Sequence, residues 1–340
     1  MASDRPVFVV GCPRSGTTLL SLMIHAHPRL AIPPETRFLT KAWRQRARYG
    51  DLQTKAQRRA LARMCTRPRS RIVDLGLDPK ATRRAILAAP PTLGTAFGVV
   101  FQEFARLHGK ARWGDKRPLY HQETDVLLRL FPDAQIVHII RDGRANVASL
   151  KRMPWWPFDS VGTMAAWSLA EYCARRDLRR LPSDTVHLVR YESLVADPTT
   201  VLGELCDFLE EDFDEAMLEP AVVSHVVPER KTWHENLRGE VSTAPVQAWR
   251  SKLEPWEIGL METVLRRALD RHGYPLTGAG ERPSPRLLAR YAKESLGRRV
   301  ALHRRWAAEA RDAASASYPV AARLTSRQLE LADRAAAGPR

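Results

Sequence analysis

Residues 7–37 read VFVVGCPRSGTTLLSLMIHAHPRLAIPPETR, and this stretch decides the kind of fold. Val7 to Val10 is an apolar run rich in β-branched residues, the composition of a fully buried strand. Gly11 interrupts it, and Cys12 to Gly16 forms a short loop with glycine at both ends. Thr17 to Ala26 then places Leu19, Leu20, Leu22, Met23 and Ala26 at helical spacing. Strand, glycine-bounded loop and helix direct the loop's N–H groups and the helix N-terminus at one target. That arrangement favours a phosphate-type anion through unpaired donors and the helix dipole.

The spacing Gly11-x4-Gly16-x-Thr18 nearly matches the ATP-binding P-loop pattern, but Thr17 stands where that pattern requires Lys. ATP-using loops place that Lys on the β- and γ-phosphates and the next hydroxyl on magnesium. Here the fixed positive charge lies inside the loop, at Arg14. The loop is therefore built for an anion rather than for γ-phosphoryl transfer. A P-loop kinase-like phosphotransferase stays open as an alternative that magnesium-dependent ATP turnover would support. A non-catalytic nucleotide- or polyanion-binding module is the other.

Pro13-Arg14-Ser15-Gly16-Thr17-Thr18 resembles the 5′-phosphosulfate loop of sulfotransferases that use 3′-phosphoadenosine-5′-phosphosulfate (PAPS). The continuation, His27-Pro28 and then Glu35-Thr36-Arg37, resembles the tyrosylprotein and heparan sulfotransferase branches. The resemblance implies PAPS as donor, adenosine 3′,5′-bisphosphate as product, no metal, and Glu35 as catalytic base. Pro33-Pro34 is a local departure from the tyrosylprotein branch, so peptide tyrosine is not implied as the acceptor. His121 and His138 are the alternative bases, since small-molecule sulfotransferases use a His.

Further along, Arg112 to Lys116 reads as a short strand, with Pro118 opening a helix to Leu130. Lys116-Arg117-Pro118 resembles the family's Lys-x-Pro element, which implies that Lys116 contacts the leaving phosphosulfate oxygen. Gln135 to Ile140 is a second core strand that ends at Arg141, where a turn can hold a second anion. Arg141 and Ser149 resemble the Arg and Ser, eight apart, that bind the 3′-phosphate. Asp142 and Arg144 read as a turn-stabilising pair. Val186 to Val189 is a third strand, and Arg190-Tyr191-Glu192 resembles the element whose Tyr lies near the adenosine bisphosphate. In the weakly periodic stretch 224–249, Arg230, Lys231 and Ser242 are candidates for the 3′-phosphate by the same resemblance.

Residues 38–110 read as a helical insertion: Phe38 to Tyr49, Leu52 to Met64, Lys80 to Ala88 and Gly98 to His108, with Pro90-Pro91 and Gly94 as separators. In open α/β sheets such an insertion sits over the strands' C-terminal ends, where ligands bind. Phe38, Trp43, Tyr49 and Phe97 are candidate lining for an acceptor pocket, or plain helix packing. Pro154-Trp155-Trp156-Pro157-Phe158 is an aromatic cluster able to stack on a flat acceptor or to cap the core. Past Gly278 the tail reads as helical over Pro285 to Ala314 and Val320 to Ala337. The expected architecture is thus an α/β, P-loop NTPase-like parallel sheet flanked by helices. It carries an insertion after the first βα unit and a helical C-terminal extension, with a domain over 1–278 and an Arg/Ala-rich extension over 279–340.

Formal net charge is +16, and it is concentrated. Residues 38–72 hold 11 Lys/Arg against one acid, and residues 281–340 hold 13 against six, so the remainder is close to neutral. That distribution, with no RRM, zinc-finger or basic-zipper pattern, argues against a nucleic-acid-binding domain. It suits an anionic acceptor, a peripheral membrane contact or an Arg-rich solvated face. The tail is also a candidate dimerising arm. The acceptor class stays open: small molecule, carbohydrate, lipid or peptide. Four scattered cysteines without CxxC spacing read as reduced thiols, which with the absence of an apolar leader leads to an expected cytoplasmic setting. Neither HExxH nor GxSxG occurs, so zinc-protease and α/β serine-hydrolase chemistry have no support.

Overall fold

A computed structural model describes residues 3–36, 38–227, 242–315, 319–325 and 327–328. The apolar runs form the centre of one parallel sheet. Its strands are β1 (Val7–Gly11), β2 (Leu30–Ala31), β3 (Arg112–Lys116), β4 (Gln135–Ile140) and β5 (Val186–Arg190), in the order β2-β3-β1-β4-β5. Every pairing is parallel. β1 and β4 are buried along their whole length, as the continuous apolar composition of parallel strands requires. Val9 pairs with Lys116 and Gly11 with Ile139, so the loop after β1, the end of β3 and the end of β4 leave the sheet at one edge. This edge is the C-terminal one, where open α/β sheets bind ligands.

Helix α1 (Thr17–Ala26) follows β1, and the insertion runs between β2 and β3 as α2 (Phe38–Arg44), α3 (Lys55–Thr66), α4 (Pro79–Ala88) and α5 (Leu93–Leu107). Local chemistry sets their starts. Thr54 and Gln57 form a capping box for α3, Asp78 with Pro79 opens α4, and Thr92 accepts from the Thr95 N–H at α5. Then come α6 (Thr124–Leu130), α7 (Gly143–Leu150) after β4, α8 (Ser160–Arg180), α9 (Tyr191–Ala196) after β5, and α10 (Pro198–Leu209). They are followed by α11 (Ala244–Gln247), α12 (Pro255–Val264), α13 (Arg266–Arg271) and α14 (Pro285–Ser315).

Alternation along β1 divides the core. Phe8 and Val10 face Phe97, Phe101, Trp113 and Phe131, whereas Val7 and Val9 face Leu20, Met23, Leu202 and Leu205. Trp113 stacks on Phe101 with centroids 5.5 Å apart, and Phe8 meets Phe131 at 5.4 Å. Each such buried ring contributes roughly 1.5–3 kcal/mol.

Several expectations need correction. The two-residue β2 was not foreseen, because a run that short carries no periodicity; it lies between the first βα unit and the insertion. Of the two readings open for Phe38, Trp43, Tyr49 and Phe97, helix packing is the one observed: all four are buried in the aromatic core between the insertion and the sheet. Gly94 does not separate helices but lies inside α5. A Cβ there would come within 2.4 Å of the Leu130 carbonyl and 2.5 Å of the Ala322 nitrogen, so close packing explains the glycine. The C-terminal half of the expected Phe38 to Tyr49 helix tightens to a 3₁₀ turn at Arg46–Tyr49.

In the tail, α14 packs along α8 and buries Tyr291 and Leu302. It also reaches the insertion, where Arg46 pairs with Glu309 at 3.0 Å and Asp312 at 2.9 Å. Of the helix expected over Val320 to Ala337, residues 326 and 329–337 lie outside the described residues, while 319–325 form no helix. They supply the Pro319 and Val320 carbonyls to the Leu93 and Gly94 N–H groups at the start of α5, and a helix would have used those acceptors internally. Among the described residues, no helix is long and apolar enough to cross a membrane.

Candidate active site

The first anion cradle is the turn after β1. A Cβ at Gly11 would lie 2.4 Å from the Ile139 carbonyl on β4, so the chain can leave the strand here only as glycine. Ser15 N–H donates to the Cys12 carbonyl at 3.1 Å and closes the turn. Gly16 is left-handed at φ 97°, and a Cβ there would meet the Tyr191 ring at 2.5 Å. Arg14 also has positive φ, at 69°, a conformation that costs a non-glycine residue about 1–2 kcal/mol. Gly16 offers no side-chain cap to α1, and no acid sits in its first turn. The first N–H groups of α1 thus point into the cradle without an intrahelical acceptor, the usual setting for an anion.

The second cradle follows β4. Asp142 caps α7 by accepting from the Arg144 N–H at 2.9 Å, and Arg144 is held by Asp142 and Glu262 and lies over the Trp249 ring. Asp142 and Arg144 are therefore engaged with each other and with the helices behind them, while Arg141 faces the first loop. Arg141 donates from Nη1 to the Arg14 carbonyl at 3.1 Å, and its guanidinium lies 4.5 Å from the centre of the Tyr191 ring. Arg14 Nε donates to Ser149 Oγ at 3.1 Å. Burial, and then the neighbouring Arg141 charge, lowers the Arg14 pKa.

Asn146 joins these cradles, and sequence reasoning missed it. It is wholly buried on α7 and donates from Nδ2 to the Pro13 carbonyl at 2.8 Å and to Ser15 Oγ at 3.0 Å. Its Oδ1 accepts from Cys12 Sγ at 3.4 Å. The signal was there: an Asn inside a short helix that follows a core strand is a poor helix former, and once buried it needs partners from elsewhere.

Lys116 ends β3 one strand away, and its Nζ lies 3.2 Å from Thr18 Oγ1. Burial lowers its pKa, while the charges of Glu35 and Asp115 oppose that shift. Pairing of β2 with β3 brings the following segment, Ile32 to Thr36, beside the same strand end. Glu35 keeps a 29% exposed side chain there, and its Oε1 lies 3.9 Å from Arg117 Nε. Arg117 also donates from Nη1 to Thr40 Oγ1 at 2.6 Å. A cavity of about 400 Å³ opens beside it, lined by Thr40, Lys41, Arg44, Gln45 and Arg117.

The structure thus brings together Pro13, Arg14, Ser15, Gly16, Thr17, Thr18, Lys116, Arg141, Ser149 and Tyr191, with Glu35 at the neighbouring strand. The two alternative bases are core groups. His121 Nδ1 sits 2.9 Å from the Pro118 carbonyl and 3.2 Å from the Gly11 carbonyl, and burial pushes its pKa down to about 4. His138 pairs with Asp177 at 3.1 Å in the sheet interior. Ser242 is exposed on the approach to α11, while Arg230 and Lys231 lie outside the described residues, as does Arg37. Trp155 and Phe158 are partly exposed, and the Arg298 guanidinium of α14 lies over the Phe158 ring. Among the described residues, no group of His, Cys, Asp and Glu has the arrangement of a metal site.

A parallel sheet with two cationic turns at one edge defines an α/β protein with two candidate anion cradles side by side. The model of the sulfotransferase family matches residues 6–215, and the chain belongs to that family. It is 26% identical over 219 residues to the protein-tyrosine sulfotransferase of Drosophila melanogaster, covering 62% of this chain and 39% of that protein. The chain therefore spans well under two thirds of that relative's length. The solved sulfotransferase domain from the Synechococcus PCC 7002 olefin synthase superposes with a TM-score of 0.52 at 26% identity, over 75% of this chain and 90% of that one. The sulfotransferase domain from the curacin biosynthetic pathway, at 19% identity, superposes with a TM-score of 0.55 over 82% of this chain and all of that one, and supports the fold.

Proposed function

We propose that the chain is a sulfotransferase that moves a sulfuryl group from PAPS to a hydroxyl or amine acceptor. One observation carries the reading: Arg14 and Arg141, from two separate turns, are joined through the Arg14 carbonyl and Ser149 into a single wall. The donor set fits a ligand with phosphate at both ends, because helix N-terminal amides, two guanidinium groups, an ammonium and hydroxyls converge on one edge. Bound PAPS would supply the activated sulfuryl group and its phosphate leaving group.

The chain's own residues have separable tasks. The first amides of α1 with Arg14, Thr17 and Thr18 would hold the 5′ end, and Arg141 with Ser149 the 3′-phosphate. The Arg141 fork suits paired phosphate oxygens. Tyr191 fixes Arg141 by stacking and fills the space beside Gly16. Lys116 places a preorganised positive charge where the leaving oxygen becomes negative, often the largest single catalytic effect. Glu35 accepts the acceptor's proton as the new oxygen–sulfur bond forms. Its half-buried carboxylate, beside a cavity open to solvent, supports that role more than the sealed His121 and His138 do. Ser242 is assigned to the 3′-phosphate contacts by the resemblance alone.

Thr17 in place of the P-loop Lys speaks against the kinase-like alternative. Four free, buried cysteines support a reducing, cytoplasmic setting. Incubation with sulfur-labelled PAPS and a host-cell extract, with mass spectrometry of products heavier by one sulfonate, tests the activity. Tight adenosine 3′,5′-bisphosphate binding without any transfer would favour a binding module instead.

A further inference from the structure

Asp115 sits between the two residues assigned to the chemistry, yet touches no exposed surface. It is the penultimate residue of β3 and is fully buried. Its carboxylate accepts from three donors: the Tyr120 hydroxyl at 2.8 Å, the Lys116 N–H at 2.9 Å and the Thr36 hydroxyl at 3.5 Å. Thr36 directly follows Glu35 and is itself fully buried, and Lys116 directly follows Asp115. We propose that Asp115 is a positioning residue, tying the segment that carries Glu35 to the strand end that carries Lys116 through Thr36 on one side and the Lys116 N–H on the other. The inference rests on the roles given above to Glu35 and Lys116.

The tie depends on charge. An ionised carboxylate only accepts, so it can satisfy all three donors at once, whereas a protonated one has a proton of its own to place. Thr36, the longest of the three contacts, is then the first to be released. The groups facing Asp115 are Tyr120, Lys116 and Arg117. Burial pushes its carboxyl up to about 6, against the hydrogen bonds from Tyr120 and Lys116 and the charges of Lys116 and Arg117. The folded site therefore takes up a proton at Asp115 more readily than the unfolded chain does, and the tie loosens as pH falls through about 6.

Hydrogen-exchange mass spectrometry on peptides spanning 30–36, between pH 5 and 8 and corrected for intrinsic exchange, reads the tie without an acceptor. Asp115→Asn and Thr36→Val are expected to raise exchange of the Glu35 and Thr36 amides about tenfold or more at pH 7.5, the loss of a hydrogen bond to a charged group. Thr36→Ser is expected to match wild type, and wild type to approach Asp115→Asn below pH 6. Circular dichroism melting checks that each variant is folded; should Asp115→Asn fail to fold, Thr36→Val alone decides. In the labelled-PAPS assay the same two variants are expected to lose turnover at least tenfold, with the donor KM within about twofold. Wild-type exchange rates in both variants overturn the tie. If wild type transfers no sulfuryl group, the functional reading fails, while the exchange result on Asp115 still stands.

Discussion

Arg14 Nε lies 3.1 Å from Ser149 Oγ, so the loop after β1 and the helix after β4 meet through side chains that the sequence separates by 135 positions. With Arg141 on the Arg14 carbonyl, the two turns form one surface rather than two independent anion sites. A ligand with charge at both ends gains from that preorganisation, because neither turn must be drawn toward the other on binding.

Arg141→Ala is therefore expected to lower affinity for adenosine 3′,5′-bisphosphate by about ten- to a hundredfold, the range for a charged hydrogen bond. It should leave affinity for adenosine 5′-monophosphate, which lacks the 3′-phosphate, nearly unchanged. Titration calorimetry of both nucleotides checks this; equal losses for the two would remove the 3′-phosphate assignment.

Glu35→Gln keeps shape and removes the proton acceptor. Turnover in the labelled-PAPS assay should drop at least about a hundredfold while nucleotide affinity is kept. Retained turnover with lost nucleotide affinity would reverse the roles given to Glu35 and the loop.

Lys116→Met removes a buried ammonium but keeps most of its volume. Turnover is expected to fall by about 10²- to 10³-fold, as for loss of a preorganised charge-stabilising donor. The melting temperature should hold or rise, because burial of the charged form is no longer required. A large loss of stability with unchanged turnover would make Lys116 a structural residue.

Gly16→Ala forces a side chain into left-handed backbone and against the Tyr191 ring. The strain alone is about 1–2 kcal/mol. The variant should melt earlier and bind adenosine 3′,5′-bisphosphate more weakly, and adding Tyr191→Ala should recover only part of the stability because the backbone strain remains.

Acid stability follows from the buried histidines. His121 is held near pKa 4 and His25 near 3 by burial, both below the ordinary 6.5. As pH falls from about 6.5 toward 4, the unfolded chain binds protons there that the folded chain does not, so stability declines with falling pH. Asp115, raised to about 6, acts in the opposite direction between pH 6 and its ordinary 3.8. Urea unfolding across pH 5–7.5 should show a net loss on acidification, and His121→Asn should flatten it; a steeper slope in that variant would refute the assignment to His121.

Much of the site was legible because its residues are consecutive. Gly11 to Thr18 and Arg141 to Ser149 each lie on one turn and the helix that follows it, and local conformational preference with helix-terminus electrostatics sufficed to read them. Glu35 and Lys116 were legible as residue types in a resembling motif. Their relation was not, since it depends on β2 pairing with β3 over only two residues. Asn146 was passed over because its partners, Pro13 and Ser15, stand more than 130 positions away. The aromatics of the insertion illustrate the reverse case: Phe38, Trp43, Tyr49 and Phe97 look the same in sequence whether they line a pocket or fill a core, and the apolar surface of the sheet claimed them.

The sequence by itself determined the parallel α/β class, the two cationic turns and the helical insertion, because short-range backbone chemistry and apolar runs encode these directly. Only the tertiary structure decided that Arg14 meets Ser149, that Asn146 locks the first loop, that Arg117 stands beside Glu35 and that residues 319–325 cover the start of α5. Those contacts join segments distant in the chain, and their energy exists only once strand order has placed the segments side by side.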